Sequence, residues 1–245
     1  MANEAVLALI RSQLRAAADP VRGAAAQAYM KSATPSLGVR VPEVRRTAKA
    51  AAAAHPFETA DDLRSTVLVL WREARYREER YAAIDLTGLR SVAGDLEMLP
   101  VYEEIIRTGS SWDYVDGVAQ RIGALLKAHR EEQTCLLLQW SADRDFWVRR
   151  ASITAQLGAK AQTDTALLTA VIEANMADKE FFIRKAIGWA LREYAKTAPE
   201  WVLEFVTRNG PFLSPLSRKE ALKNLGVSSE PQGLMSPSQM NPRVK

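Results

Sequence analysis

Apolar residues recur at three- and four-residue intervals along nearly the whole chain, in segments rich in Ala, Leu, Arg and Glu. That is the pattern of amphipathic α-helices. It predicts helices over 5–18, 20–31, 42–54, 61–71, 75–89 and 95–108 and, after Gly109, over 112–128, 130–140, 146–157, 164–174, 181–195, 199–207 and 215–225. The joints carry start signals. Asp19-Pro20 and Val41-Pro42 put proline where a helix has no use for an N–H, and Thr59-Ala60-Asp61-Asp62 supplies an oxygen cap and first-turn acids. No alternating strand pattern competes.

Short joints between successive helices fit antiparallel pairs stacked side by side. Three segments add a period to this picture: Trp112-Asp113-Tyr114-Val115-Asp116, Trp147-Val148-Arg149-Arg150-Ala151 and Phe182-Ile183-Arg184-Lys185-Ala186 lie 35 residues apart. A fixed period of this length marks stacked helical repeats. The expected fold is all-α, a HEAT-like repeat α-solenoid with a concave basic groove, occupying residues 1–227 as a single domain. From Gly226 the composition turns to Ser, Pro, Gln, Gly and Asn, so 228–245 reads as a disordered C-terminal tail.

Composition narrows the function. A hydrophobic fraction of 47% supplies a core, and no apolar run approaches the roughly 20 residues of a membrane span. A single cysteine, Cys135, excludes an internal disulfide, and with His55 and His129 as the only histidines no zinc-ligand spacing exists. The expectation is a cytoplasmic protein without structural metal or small-molecule cofactor. A net charge of +4 favours a polyanionic partner if it is gathered on one surface.

The repeats differ where chemistry is expected. Counting from Trp112, Trp147 and Phe182, Arg150 stands at plus three, Asp116 at plus four and Trp189 at plus seven, all on one helical face. In a solenoid that face recurs on neighbouring helices, so a carboxylate, a guanidinium and two indoles are expected to converge. Each has a plain alternative. Trp112 and Trp189 at helical spacing also suit core packing, Asp116 an exposed acid, and Arg150 a structural ion pair with Asp145, Asp116 or a neighbouring repeat. Trp147 and Phe182, which recur, read as scaffold.

At these residues the sequence resembles the AlkD family of DNA glycosylases, HEAT-like repeat proteins that excise alkylated bases. The resemblance runs over most of residues 20–225. It is carried by Tyr29-Met30-Lys31, Leu37-Gly38-Val39, Pro42-Glu43, Ser111-Trp112-Asp113 with Val115-Asp116, Trp147 to Arg150, Phe181 to Tyr194, and Leu213 to Ala221. The family pattern usually has two adjacent aromatics where this chain has Ser111-Trp112. The resemblance implies that Asp116 is the catalytic carboxylate, Trp112 and Trp189 the groove tryptophans, and Arg150 the backbone-contacting arginine. Tyr29, Arg149, Arg184, Lys185, Arg192, Arg218 and Lys219 complete the expected DNA contacts. It further implies a monomer acting on duplex DNA that contains cationic N3- or N7-alkylpurines, monofunctionally and without a base-flipping pocket, with simple methyl and bulky adducts both open. A non-catalytic DNA-binding solenoid and a protein-binding adaptor are the alternatives.

Overall fold

A computed structural model describes residues 1–226; the tail expected over 228–245 lies outside the described residues. Thirteen α-helices occur among them: α1 (Glu4–Ala16), α2 (Pro20–Met30), α3 (Val41–Ala54), α4 (Ala60–Arg72), α5 (Arg77–Leu86), α6 (Leu99–Gly109), α7 (Trp112–Ala128), α8 (Arg130–Trp140), α9 (Phe146–Thr154), α10 (Thr165–Glu173), α11 (Phe181–Tyr194), α12 (Pro199–Arg208) and α13 (Pro215–Leu222). No strand is present in this region, and no described helix is long and apolar enough to cross a membrane.

The capping residues act as their chemistry dictates. Asp19 accepts from the Arg22 amide at 2.9 Å ahead of Pro20, Thr59 and Asp62 form a reciprocal capping box, and Ser214 accepts from the Ser217 amide at 3.0 Å ahead of Pro215. The expected helix over 95–108 begins differently. Asp95 caps a short 3₁₀ turn, Leu96–Met98, and the α-helix starts at Leu99 with Pro100 in its first turn, where the missing N–H is harmless. The segments expected over 75–89 and 146–157 are shorter than their periodicity suggested, ending at Leu86 and Thr154.

The fold is an all-α, HEAT-like solenoid of two layers. Helices α3, α5, α7, α9, α11 and α13 pack in succession, and α4, α6, α8, α10 and α12 back them, with α1 closing the N-terminal end. Between the layers runs a continuous core that includes fully buried Trp71, Tyr102, Tyr114, Phe205, Val148 and Ile183. Two glycines set how closely the successive helices approach. A Cβ on Gly123 of α7 would sit 2.5 Å from the carbonyl oxygen of Ala155, and one on Gly188 of α11 would sit 2.5 Å from Glu220 Cβ of α13. The 35-residue period appears directly as polar bridges between repeats: His129 to Gly94, Lys185 to Glu220, Asn175 to Ser141 and Arg107 to Asp143 join residues 34 to 36 apart.

Candidate active site

Asp116 lies one helical turn beyond Trp112 on α7. The same face of the next helix, α9, presents Arg150, and the two side chains meet in a bidentate pair. Arg150 Nε donates to Asp116 Oδ1 at 2.9 Å and Nη2 to Oδ2 at 2.8 Å. Nη1 donates to the Phe182 carbonyl on α11 at 2.6 Å, so one guanidinium ties three successive helices. Both partners are largely buried, with side-chain exposures of 6% and 13%. Burial pushes the Asp116 carboxyl above its ordinary pKa, against the opposing pull of the Arg150 hydrogen bonds and with a further push from Asp113. Ala151 and Ala186, which stand at the level of Asp116 in the later copies, are fully buried on α9 and α11.

The aromatic members separate by exposure. Trp112, the first residue of α7, is 38% exposed, whereas its period-mate Trp147 is 7% exposed. Trp147 packs between Phe146 and Phe182, with centroids 4.6 and 4.9 Å away, as an aromatic step joining α9 to α11. Trp189 is half-buried two turns along α11 from Phe182. The position that recurs is therefore scaffold in the second copy and surface in the first.

The expected basic contacts fall into two groups. Arg149 donates from Nη2 to Asp178 Oδ2 at 2.7 Å and from Nη1 to the Asp143 carbonyl at 2.7 Å. Lys185 and Arg192 both pair with Glu220 of α13, Lys185 at 2.9 Å. These three are engaged within the protein. Arg184, Arg218 and Lys219 make no ion pair among the described residues, although Arg184 Nη2 donates to the Lys179 carbonyl, and Tyr29, at the end of α2, is 78% exposed. Three clefts of about 250, 720 and 390 Å³ open among helix ends and loops, around Ile153 and Ala190, around Gly123 and Gly158, and around Thr165 and Trp201. None is lined by Asp116, Trp112 or Trp189.

The sequence reading missed the first turn of α5. Arg77, Glu78 and Glu79 are three consecutive charged residues, and all are buried, at 5%, 2% and 1% exposure. Glu78 accepts from the backbone amides of Leu37 and Gly38 at 2.8 Å each, and Arg77 Nη2 donates to Asp113 Oδ2 at 2.6 Å. A run of charge normally reads as a solvated face. Its signal was a first turn without apolar residues on a helix whose later residues, Ala82, Ala83, Ile84 and Leu86, are apolar and buried.

A family model described as DNA alkylation repair enzyme matches residues 10–225. The chain belongs to the DNA alkylation repair enzyme family. Among solved structures it is similar to a protein described as a predicted DNA alkylation repair enzyme from Enterococcus faecalis, at 30% identity over 86% of this chain and 98% of that one, with a TM-score of 0.77. AlkD2 from Streptococcus mutans shares the fold at 16% identity, covering 77% and 92% of the two chains with a TM-score of 0.60. So does the alkylpurine DNA glycosylase AlkC of Pseudomonas fluorescens, bound to DNA containing an abasic site analog, at 15% identity, 91% and 62% coverage and a TM-score of 0.51. A comparison with curated proteins returns no match. The arrangement around Asp116 in this chain is a buried carboxylate of fixed orientation, one helical turn from the exposed indole of Trp112. Such a group stabilises positive charge that develops at a fixed point.

Proposed function

We propose that this chain is a DNA glycosylase that hydrolyses the N-glycosidic bond of cationic N3- and N7-alkylpurines in duplex DNA. The observation that carries the reading is the bidentate Asp116–Arg150 pair on the helix that presents Trp112. Alkylation places positive charge on the purine and weakens its bond to C1′. As that bond breaks, its electron pair leaves with the base, which becomes neutral, and the sugar becomes oxocarbenium-like. Asp116 stabilises this cation and orients water, which adds to C1′ and gives up a proton, leaving an abasic site. Trp112 and Trp189 flank the deoxyribose with electron-rich faces and exclude bulk water. Arg150 has one N–H left on each of Nη1 and Nη2 to reach a phosphate, and its principal work here is to hold Asp116 in place. Arg184, Arg218, Lys219 and Tyr29 supply further contacts to a monomer's DNA groove, with no cofactor required. Selectivity comes from the lability of the alkylated bond, which leaves both methyl and bulky adducts open as substrates.

Replacing Asp116 with Asn tests this. Release of 7-methylguanine from methylated duplex DNA falls by about 10³-fold while duplex affinity stays close to that of the parent chain. Undiminished release by that variant sinks the mechanism. The buried, self-neutralising Asp116–Arg150 pair also suits a second reading, a DNA-binding solenoid without catalysis, because such pairs occur as pure structure. Tight binding of alkylated duplex with no abasic sites forming over time favours that one.

A further inference from the structure

The N-terminus of α7 is held by tertiary contacts in place of a local cap. Ser111, in the cap position, makes no side-chain bond to the helix backbone and turns its hydroxyl to the Asp113 carboxylate. Asp113 in turn accepts from Arg77 Nη2 and from the Tyr81 hydroxyl, each at 2.6 Å, both from α5. The Arg77 guanidinium is occupied on every nitrogen. Its Nε reaches Tyr81 at 3.3 Å, its Nη1 reaches Ser32 Oγ at 2.9 Å, and its Cζ lies 4.6 Å from the centroid of the Tyr114 ring, which packs edge-on against Trp71 at 5.2 Å. Trp112, Asp113 and Asp116 all belong to the first turns of α7. Two guanidiniums therefore grip this segment from opposite neighbours, Arg150 from the following repeat and Arg77 from the preceding one.

We infer that Arg77, with Tyr81, is a positioning residue for the site: by holding Asp113 it fixes the first turn of α7, and with it the placement of Trp112 beside Asp116. A buried ion pair in this place adds little stability over an apolar pair of equal volume, but it fixes direction, which an apolar contact does not. The catalytic part of this inference rests on the glycosylase reading above; the placement of Trp112 does not.

The test uses the full chain carrying 5-fluorotryptophan, with the Trp112 resonance assigned by Trp112→Phe. In Arg77→Gln that resonance shifts or broadens, single-turnover release of 7-methylguanine slows by about a hundredfold, and duplex affinity changes less than about threefold. Arg77→Lys recovers part of the rate. Tyr81→Phe, which removes a single hydroxyl, moves both readouts the same way by about three- to tenfold in rate, and decides the matter if Arg77→Gln does not fold. A Trp112 resonance that stays put in the folded variants overturns the inference, as does a loss confined to affinity. If the parent chain releases no base, the glycosylase reading falls and the resonance still judges the positioning.

Discussion

Two kinds of ion pair join successive repeats in this solenoid, and they differ most in their exposure to water. Arg107–Asp143 and Arg150–Asp116 each link an arginine to an aspartate about one repeat away at 2.8 Å. The first has side chains exposed by 38% and 22%, the second by 6% and 13%. Exposed pairs in high dielectric contribute about 0–1 kcal/mol, because solvent screens them and two long side chains lose freedom. Buried pairs are strongly interdependent yet bring little net stability, since each charge first had to leave water. An interior needing only cohesion is served as well by Leu against Leu. Asp116 and Asp113, one turn apart and each gripped by its own arginine, therefore keep buried charge on the segment proposed as the site, whereas the Arg107 pair lies at the surface.

The comparison can be broken in three places. The largest effect is expected from Arg150→Ala, which strands the Asp116 carboxylate in the interior. Unfolding in urea at pH 7 then shows a loss of about 3–5 kcal/mol, and base release falls with it. A loss below about 1 kcal/mol makes the buried pair no different from the exposed one.

The pH dependences of the two aspartates oppose each other. Burial raises the folded pKa of Asp116, so its contribution to stability is fully present below the ordinary carboxylate value of about 4 and is lost as pH rises through the raised folded value. Hydrogen bonds from Arg107 lower that of Asp143, whose contribution is present above the ordinary value and is lost as pH falls through the depressed one. Urea midpoints carried from pH 7 down to about pH 2 check this, the Asp116 arm changing above the ordinary carboxylate value and the Asp143 arm below it. The gap between the parent chain and Asp116→Asn moves in the parent's favour on acidification, and the gap to Asp143→Asn moves against it. Equal signs end the distinction. On the proposed mechanism release needs ionised Asp116, so its acid limb is expected above the usual carboxylate range.

Smallest of all is Arg107→Ala, expected to cost no more than about 1 kcal/mol, to lose even that in high salt, and to leave release unchanged. A clear drop in release makes the outer pair part of the site's support.

Much of this was legible without coordinates. Helix positions, the Pro and Asp starts and the 35-residue period follow from local chemistry and pattern, and the stripe through Trp112, Asp116 and Arg150 follows from counting around a helix. Pairing of Arg150 with Asp116 was one of three partners open to it. The engagement of Arg149, Lys185 and Arg192 by Asp178 and Glu220 was not readable, because an arginine on a helix looks the same whether it faces DNA or a carboxylate of the next repeat. Nor was the burial of Arg77, Glu78 and Glu79, which composition assigns to solvent.

Which residues share a face, and how often that face returns, can be read from the chain, since rise and turn per residue are properties of the backbone. What each face meets is settled by how the helices pack. Partner choice across helices depends on their offset and closeness, set by contacts such as Gly123 against the Ala155 carbonyl and Gly117 against Ile84, between residues distant in the chain. Those few ångströms place Arg150 on Asp116 and Arg77 on Asp113, and leave Trp112 facing outward.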